Sequence, residues 1–582
     1  MYISHVKCRG FRSLNDIELN LTKYNTLIGK NDAGKSTFLR AVKAVFDPEI
    51  KFTEDDLCKI PGCEQADCTV EAVLADCDHA LAKNRQLTVR KTLADGLQVL
   101  GNVPKHPLLK KFLEGSVMRS DVNQGIALPE PLASRLSREI ETLSPAGRIK
   151  GDVARQIYER IKDDEKIEFE DGWCPIAADT LSSMVKVVML DAGVRGEEEV
   201  HDSGKSTLRQ VGGILLREAT KGDADFTSAQ DSLFEQIDRL SQKDDRNKWA
   251  LEAFNEFEET LLTEIKRFDG VAEARTQIKP PRTPFPMDFT VELTIVDGIV
   301  DGIDKMGHGL RRSAVFAMLR TYRQIRLKKS VRETEQAVAT GGERKVDSTL
   351  YLFLIEEPEL YLHPQAERRR MRELKELSED ENSQVLLCTH SSLFIDLAEY
   401  KGIHRFERPD RKVTLVKSGD GPEFSTEARD FVKSANRFNG YKSAMLFADL
   451  VILVEGATEE IVIPHLAEKL GLIQQNKEVE VVDCGGNSEI KFYQAYLEHF
   501  QIRYVAWYDS DSKKEIRAAI NKARGAYGKL IATEVNWEKM NRLPAGNKLP
   551  NSWKKFIVDG ELPNEKLTKR ITAAYNWEDC EN

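Results

Sequence analysis

No run of eighteen apolar residues occurs anywhere in the chain, so no membrane-spanning helix is expected. The opening Met1-Tyr2-Ile3-Ser4-His5-Val6-Lys7 holds no apolar signal region, and a cytoplasmic location is the expectation. Cysteine is scarce: nine in 582 residues do not make a disulfide framework. Cys58, Cys63, Cys68 and Cys77 cluster, with His79 nearby, but the intervals of four, four and eight residues are not the paired C-x2-C of zinc sites. Reduced cysteines around a strand are the reading. Excess positive charge is also missing. The net charge of −10 argues against a globally basic nucleic-acid coat. One local exception runs from Lys513 to Lys555, with eleven Lys/Arg against three Glu. A backbone-binding face and a solvated helical face fit that run equally well.

Apolar content of 41% is ample for sizeable cores, and 582 residues suggest three or four domains. Gly29-Lys30-Asn31-Asp32-Ala33-Gly34-Lys35-Ser36-Thr37 fits G-x-x-x-x-G-K-[ST]. Strand-like segments at 3–6, 17–21 and 25–28 precede it, and Phe38-Leu39-Arg40-Ala41-Val42 continues with helical spacing. Strand, glycine-rich loop and helix are the context this motif requires. The loop turns its N–H groups onto phosphate oxygens at a helix N-terminus. Lys35 is expected on the β- and γ-phosphates of ATP, and Ser36 on Mg²⁺. Gly204-Lys205-Ser206-Thr207 is a decoy, because the glycine needed five residues earlier is absent: position 199 is Glu.

Leu352-Phe353-Leu354-Ile355-Glu356-Glu357-Pro358-Glu359 supplies the partner motif. Its apolar strand is expected to deliver Glu356 to Mg²⁺ and Glu357 to the attacking water. Leu387-Cys388-Thr389-His390 ends another strand with a histidine placed to sense the γ-phosphate. Further strands are read at 69–76 and 86–100. Residues 105–280 read as mostly helical and charged, with long amphipathic helices over 228–267. Strand character resumes at 289–296, and 328–347 reads as an exposed loop.

The C-terminal part alternates strand 448–454, helix 459–470, strand 479–482, helix 488–499 and strand 504–508. Glu455 follows the first strand, and Gly456 lets the chain turn into a helix carrying Glu459 and Glu460. Asp509 and Asp511 end a later strand, two residues apart and on one side of an extended backbone. Parallel strand ends converge, so Glu455, Glu459, Asp509 and Asp511 are expected to meet. Clustered carboxylates need a neutralising cation, and hard oxygen donors suit Mg²⁺ or Mn²⁺. Lys548 is the candidate positive group at the phosphate, with Lys554 and Lys555 competing, and Glu538 is a further candidate ligand.

The loop, the glutamate strand, Leu362-His363-Pro364 and His390 resemble an ABC-type ATPase head of recombination and chromosome-maintenance proteins. Such heads hydrolyse ATP between two copies, each lending a signature loop to the other. Gly307-His308-Gly309-Leu310-Arg311-Arg312 stands where that loop is sought, without the usual serine. That weighs against strong turnover more than against ATP binding. The paired acidic strand ends, with Asp483-Cys484-Gly485-Gly486-Asn487 between them, resemble the Toprim fold of topoisomerases, primases and certain nucleases.

Head and Toprim in this order resemble the OLD (overcoming lysogenization defect) family of nucleases. The resemblance implies an α/β fold: an ABC-type ATPase domain with a helical insertion, followed by a Toprim domain. The expected divisions are 1–104 and 281–430 for the ATPase, 105–280 for a dimerising helical insertion, and 446–582 for Toprim. It further implies a metal-dependent nuclease acting on double-stranded DNA and a homo-dimer or larger homo-oligomer. Family members often serve in anti-phage defence, some with a helicase-like partner or a retron. Cofactor contacts are expected from Gly29, Asn31, Gly34, Lys35, Ser36, Thr37 and Glu356, with Glu357 and His390 catalytic at ATP. Glu455, Asp509 and Lys548 are expected to be catalytic at DNA. A DNA-end-binding repair-type ATPase, with Toprim used only for docking, is the alternative. A topoisomerase or primase is a third, though neither a tyrosine-bearing cleavage domain nor a zinc ribbon is evident.

Overall fold

The computed structural model describes residues 1–47, 50–77, 82–114, 132–143, 151–161, 167–176, 178–191, 294–296, 300–302, 349–409, 412–419, 440–474, 477–509, 513–533, 536–544 and 547–577, with a few single positions besides. Two compact units result, Met1–Ala192 with Gly341–Asn582, and Gly193–Thr340.

The chain begins with β1 (Tyr2–Phe11), β2 (Leu14–Asn20) and β3 (Tyr24–Gly29), then α1 (Lys35–Phe46). β4 (Thr69–Ala75), β5 (Gln86–Thr92) and β6 (Gly96–Pro104) follow. Residues 86–100, read as one strand, are therefore two, because Leu93, Ala94 and Asp95 form a turn and Gly96, which opens β6, has φ +72°. Short helices come next: α2 (Pro107–Glu114), α3 (Leu132–Leu143) and α4 (Gly151–Ile161). Leu108, Phe112, Leu136, Ile140, Ile157 and Ile161 join them in a small core of their own. The helical character expected from 105 onward stops at β7 (Phe169–Pro175), α5 (Ala178–Met184) and β8 (Val185–Leu190).

β7 closes an antiparallel sheet of order β2-β1-β4-β5-β6-β7. β8 instead becomes the edge of a second sheet. In the Gly193–Thr340 unit, β9 (Thr294–Val296) pairs antiparallel with β10 (Val300–Gly302). The helices read over 228–267, the loop at 328–347, Gly204–Thr207 and the signature-like segment 307–312 lie outside the described residues.

The first unit continues with β11 (Leu350–Glu356), α6 (Pro364–Glu379), β12 (Ser383–Cys388), β13 (Ile403–Glu407) and β14 (Leu415–Ser418). The second sheet has order β14-β13-β3-β12-β11-β8, parallel except at β14. Every residue of β3, β11 and β12 is buried, the mark of a sheet covered on both faces. Phe38, Leu39, Val42 and Val45 of α1 pack with Leu350, Leu352 and Leu354 on one face. The antiparallel sheet shares that core through Val6, Val70 and Val89.

The third sheet holds β15 (Leu450–Val454), β16 (Val479–Asp483), β17 (Arg503–Asp509) and β18 (Gly528–Thr533) in the parallel order β16-β15-β17-β18. Period-two alternation sends Leu450, Ile452 and Val454 into a core with α7 (Ala457–Lys469) and α12 (Glu565–Asn576). Val451 and Leu453 face the other way, onto Tyr493, Tyr496 and Leu497 of α8 (Ile490–His499). That second core also contains Ile28 of β3, Ile403 of β13 and Leu397, so the second and third sheets share apolar packing. Between β17 and the C-terminal α12 lie α9 (Lys514–Ala523), α10 (Trp537–Met540), α11 (Lys548–Ser552) and a π-helical stretch, Trp553–Val558. The expected α/β class holds, and no described helix is long and apolar enough to cross a membrane.

Candidate functional site

Two sites form at the C-terminal ends of parallel strands, where open α/β sheets bind ligands. At the first, β3 ends at Gly29 and the chain loops to Gly34 before α1 begins. Gly29 has φ +139°, and a Cβ there would stand 2.1 Å from the Phe406 carbonyl oxygen. Gly34 has φ +103°, and its Cβ would meet Thr414 Oγ1 at 2.5 Å. Only glycine fits either place.

Asn31, Gly34, Lys35, Ser36 and Thr37 line a cleft of about 300 Å³ with Glu357, Cys388 and His390. The Lys35 ammonium, 6% exposed, donates to the carbonyls of Gly29 (2.8 Å) and Lys30 (3.0 Å). Burial lowers its pKa, against the opposing charges of Cys388, Glu357, Glu359 and Glu356. Lys35 Nζ also lies 3.3 Å from His390 Nε2. Burial first, and Lys35 second, hold the His390 pKa below its usual value. A neutral ring facing an ammonium accepts through Nε2, so its proton belongs on Nδ1.

β11 brings Glu356 to its buried end, 4% exposed. Glu357, next to Pro358, has φ +46°, a region costing a non-glycine residue roughly 1–3 kcal/mol. Its N–H donates to the Cys388 carbonyl at 2.8 Å, holding the strained turn against β12. Glu359 was read only as the last letter of the motif. It accepts from His390 N–H at 2.7 Å and from the Thr389 hydroxyl at 2.8 Å, fixing the histidine's backbone. Burial raises its pKa despite these donors.

The second site stands where the third sheet reverses its strand order. β15 continues to β16 on one side, while β17 lies on its other side. Glu455 follows β15, and Glu459 sits in the first turn of α7, where the helix N-terminus favours an acid. Asp509 ends β17 and accepts from the Thr533 hydroxyl at 2.6 Å. Thr533 faces Asp509 in the β17–β18 register, a partnership that sequence alone did not reveal.

Lys548 begins α11 and places Nζ 2.6 Å from Glu459 Oε1. Glu459, Asp509 and Glu455 all act on its charge; burial lowers its pKa, but these acids raise it overall. Burial dominates at Glu459 and pushes it up to about 7; Lys548 opposes this, and Asp509 adds to it. Glu459 Oε2 is buried without a hydrogen-bond partner among the described residues. Of the competing lysines, Lys555 is turned to the Asn541 carbonyl and Glu561.

Asp483 is used locally, accepting from Gly485 N–H at 2.7 Å, while its own N–H donates to Glu460. Asp511 lies outside the described residues. No three His, Cys, Asp or Glu side chains among the described residues close a metal cage by themselves. That covers Cys58, Cys63, Cys68 and Cys77, which are free thiols; His79 lies outside the described residues.

A family profile described as AAA ATPase domain matches residues 1–184 and 197–395. One described as overcoming lysogenization defect protein-like, TOPRIM domain, matches 446–511. The chain is 22% identical over 531 residues to the OLD nuclease of Thermus scotoductus, covering 88% of this chain and 82% of that protein. It is 21% identical over 483 residues to the Old nuclease of Escherichia phage P2, covering 80% of this chain and 70% of that one. Over 554 residues it is 23% identical to the uncharacterized protein YbjD of Escherichia coli K12, covering 94% and 85%.

Proposed function

The chain belongs to the AAA ATPase domain family and carries an OLD-like TOPRIM domain behind it, and from that premise we propose an ATP-regulated, divalent-metal-dependent DNA endonuclease or nickase. The observation that carries this reading is Lys548, whose ammonium lies 2.6 Å from Glu459 and feels the charges of Asp509 and Glu455 as well. Carboxylates brought near one another favour a cation among them. The Oε2 of Glu459, without a hydrogen-bond partner among the described residues, is a hard oxygen donor of the kind Mg²⁺ or Mn²⁺ takes. Glu455, Glu459 and Asp509 would hold the ion, and Asp511 belongs to the same proposal. A bound divalent ion supplies Lewis acidity toward a phosphodiester and a more acidic water.

The protein's own part is orientation. Thr533 holds the Asp509 carboxylate at the strand end, and Lys548 holds Glu459; its ammonium would supply positive charge to a scissile phosphate there. At the other site the loop 29–34 and Lys35 would hold the phosphates of ATP, and Ser36 and Glu356 its Mg²⁺. Glu357 would orient water, and the neutral His390 would accept a hydrogen bond near the terminal phosphate. The active species is a homo-dimer or larger homo-oligomer assembled through the head. It works on double-stranded DNA in the cytoplasm, as part of anti-phage defence, with a helicase-like partner or a retron as the possible companion.

The test is plasmid cleavage with Mg²⁺ or Mn²⁺, with and without ATP. The full chain is compared with Glu455→Ala and Lys35→Ala. Cutting by the parent and none by Glu455→Ala is the expected result, and the Lys35→Ala lane gives the sign of ATP control. Equal cutting by parent and Glu455→Ala overturns the assignment of the site.

A further inference from the structure

The basic run from Lys513 to Lys555 divides in the structure. Two of its later lysines are engaged, Lys548 with Glu459 and Lys555 with the Asn541 carbonyl and Glu561. Its opening part is α9 with the preceding Lys513. α9 turns Ile520 and the partly buried Ile516 into the core with Leu497, Tyr504 and Tyr508. On a helix of about 3.6 residues per turn the opposite face holds Lys514, Ala518 and Lys522. All three are exposed, and so is Lys513. The ammonium groups of Lys513, Lys514 and Lys522 meet no hydrogen-bond or ion-pair partner among the described residues. By contrast, Lys7, Lys59 and Lys375 each lie on a carboxylate.

These lysines do not serve the helix that carries them. A helix N-terminus bears partial positive charge and favours Ser, Thr, Asp or Asn at its cap. α9 has Lys513 at the cap, with no side-chain capping bond, and Lys514 next, with Glu515 as the acid of the first turn. Three and four residues beyond Glu515 stand Ala518 and Ala519, so no cation follows at pairing distance along the helix. Side chains set against their own local structure mark a role outside the fold.

Position along the chain supplies that role. β17 ends at Asp509, and Lys513 follows four residues later, at most about 14 Å away even if the chain between is fully extended. We propose that Lys513, Lys514 and Lys522, on the outer face of α9, form an exosite that holds the phosphate backbone of duplex DNA beside the carboxylates of the second site. The proposal rests on the nuclease reading above and adds which surface carries the duplex. Lysine is a flexible point charge that holds phosphates without reading bases, so the exosite grips DNA of any sequence. Ala518, small and exposed between Lys514 and Lys522, lets a backbone lie close to the helix. With a net charge of −10 on the whole chain, attraction to a polyanion has to be local.

The test is the salt dependence of equilibrium binding to a duplex oligonucleotide, with no divalent ion added. Three full-length proteins are compared: the parent, the triple variant Lys513→Gln, Lys514→Gln and Lys522→Gln, and a control, Lys566→Gln with Lys569→Gln on α12. All five lysines are exposed, so neither variant disturbs a core. Each phosphate contact steepens the fall of log affinity with log salt by about 0.9. The triple variant is expected to bind more weakly, with a slope shallower by about 2 to 3. The α12 control keeps the parent's slope. An unchanged slope in the triple variant overturns the exosite. So does an equal loss per charge in the control, which assigns the effect to net charge alone. A parent that binds no duplex even at low salt sinks the DNA reading itself, a different result from either of those.

Discussion

Lys548 and Glu459 meet at 2.6 Å, one opening a short helix and the other in the first turn of α7. Yet burial wins over attraction at the carboxyl, whose pKa rises to about 7. In the folded, metal-free protein this group holds its proton up to about pH 7, whereas the unfolded carboxyl releases it near 4.5. The folded state thus binds more protons between those values, and the stability this group contributes falls as pH rises through that window. A divalent ion requires the carboxylate form. Mn²⁺ affinity is expected to climb as pH rises toward about 7 and to level above it. Lys548→Ala, lacking the opposing cation, moves the climb to higher pH. Calorimetric titration of Mn²⁺ at several pH values checks both, and a flat profile speaks against them.

Thr533 and Asp509 are both buried, and the hydroxyl bond between them fixes which way the carboxylate points. Thr533→Val keeps the shape and removes the bond. DNA cleavage is expected to drop roughly 10- to 100-fold, as outer partners of metal ligands commonly show. ATP binding stays as it was. Cleavage rates and ATP affinity on the same preparation decide the point; unchanged cleavage removes Thr533 from the site.

Glu359 accepts two hydrogen bonds with its two oxygens, from His390 N–H and the Thr389 hydroxyl. In Glu359→Leu, of similar size, both acceptor oxygens are lost to the His390 N–H and the Thr389 hydroxyl. The backbone of His390 is released, so ATP turnover is expected to fall on the order of tenfold while ATP binding changes little. Turnover number against affinity separates these. Loss of binding alone assigns Glu359 to the loop's fold instead.

Gln384 is completely buried and stitches β12 to the chain's first strand. Its amide accepts from Ile3 N–H at 2.8 Å and donates to the carbonyls of Ile3 (2.8 Å) and Thr22 (2.7 Å). Gln384→Ala orphans all three backbone groups, costing about 3 kcal/mol or more. A lowered melting temperature with unaltered chemistry per folded molecule is expected. A melting point equal to the parent's contradicts it.

The parts legible in the sequence were those with fixed spacing or unbroken apolar runs. The phosphate loop, β11 with Glu356, and β15 and β17 with their acids all belong to that class. β7 was not legible, because Phe169-Glu170-Asp171-Gly172-Trp173-Cys174-Pro175 carries acids, glycine and proline suited to a sheet edge rather than a core. β8 was hidden by following α5 without a break and by Lys186 in its middle. Thr533 and Glu359 escaped notice for another reason. Their partners are set by strand register and by a turn at positive φ, which appear only after the sheets assemble. Lys548 stood among Lys554 and Lys555 as one of three choices, and only the fold shows which of them faces Glu459.

β3, the strand that leads into the phosphate loop, lies between β13 and β12 and is buried at all six positions. Both neighbours are encoded beyond residue 380, so on the ribosome β3 emerges with neither flank available. At the usual pace of synthesis the wait lasts roughly 20–70 s. Through that interval Leu27 and Ile28 have no sheet to enter, and the glycine-rich turn has no Phe406 or Thr414 to set it. Nucleotide binding is therefore acquired late, only after the C-terminal half of the head has left the exit tunnel. Chains stalled or truncated before β12 carry the complete phosphate-binding sequence and none of its architecture.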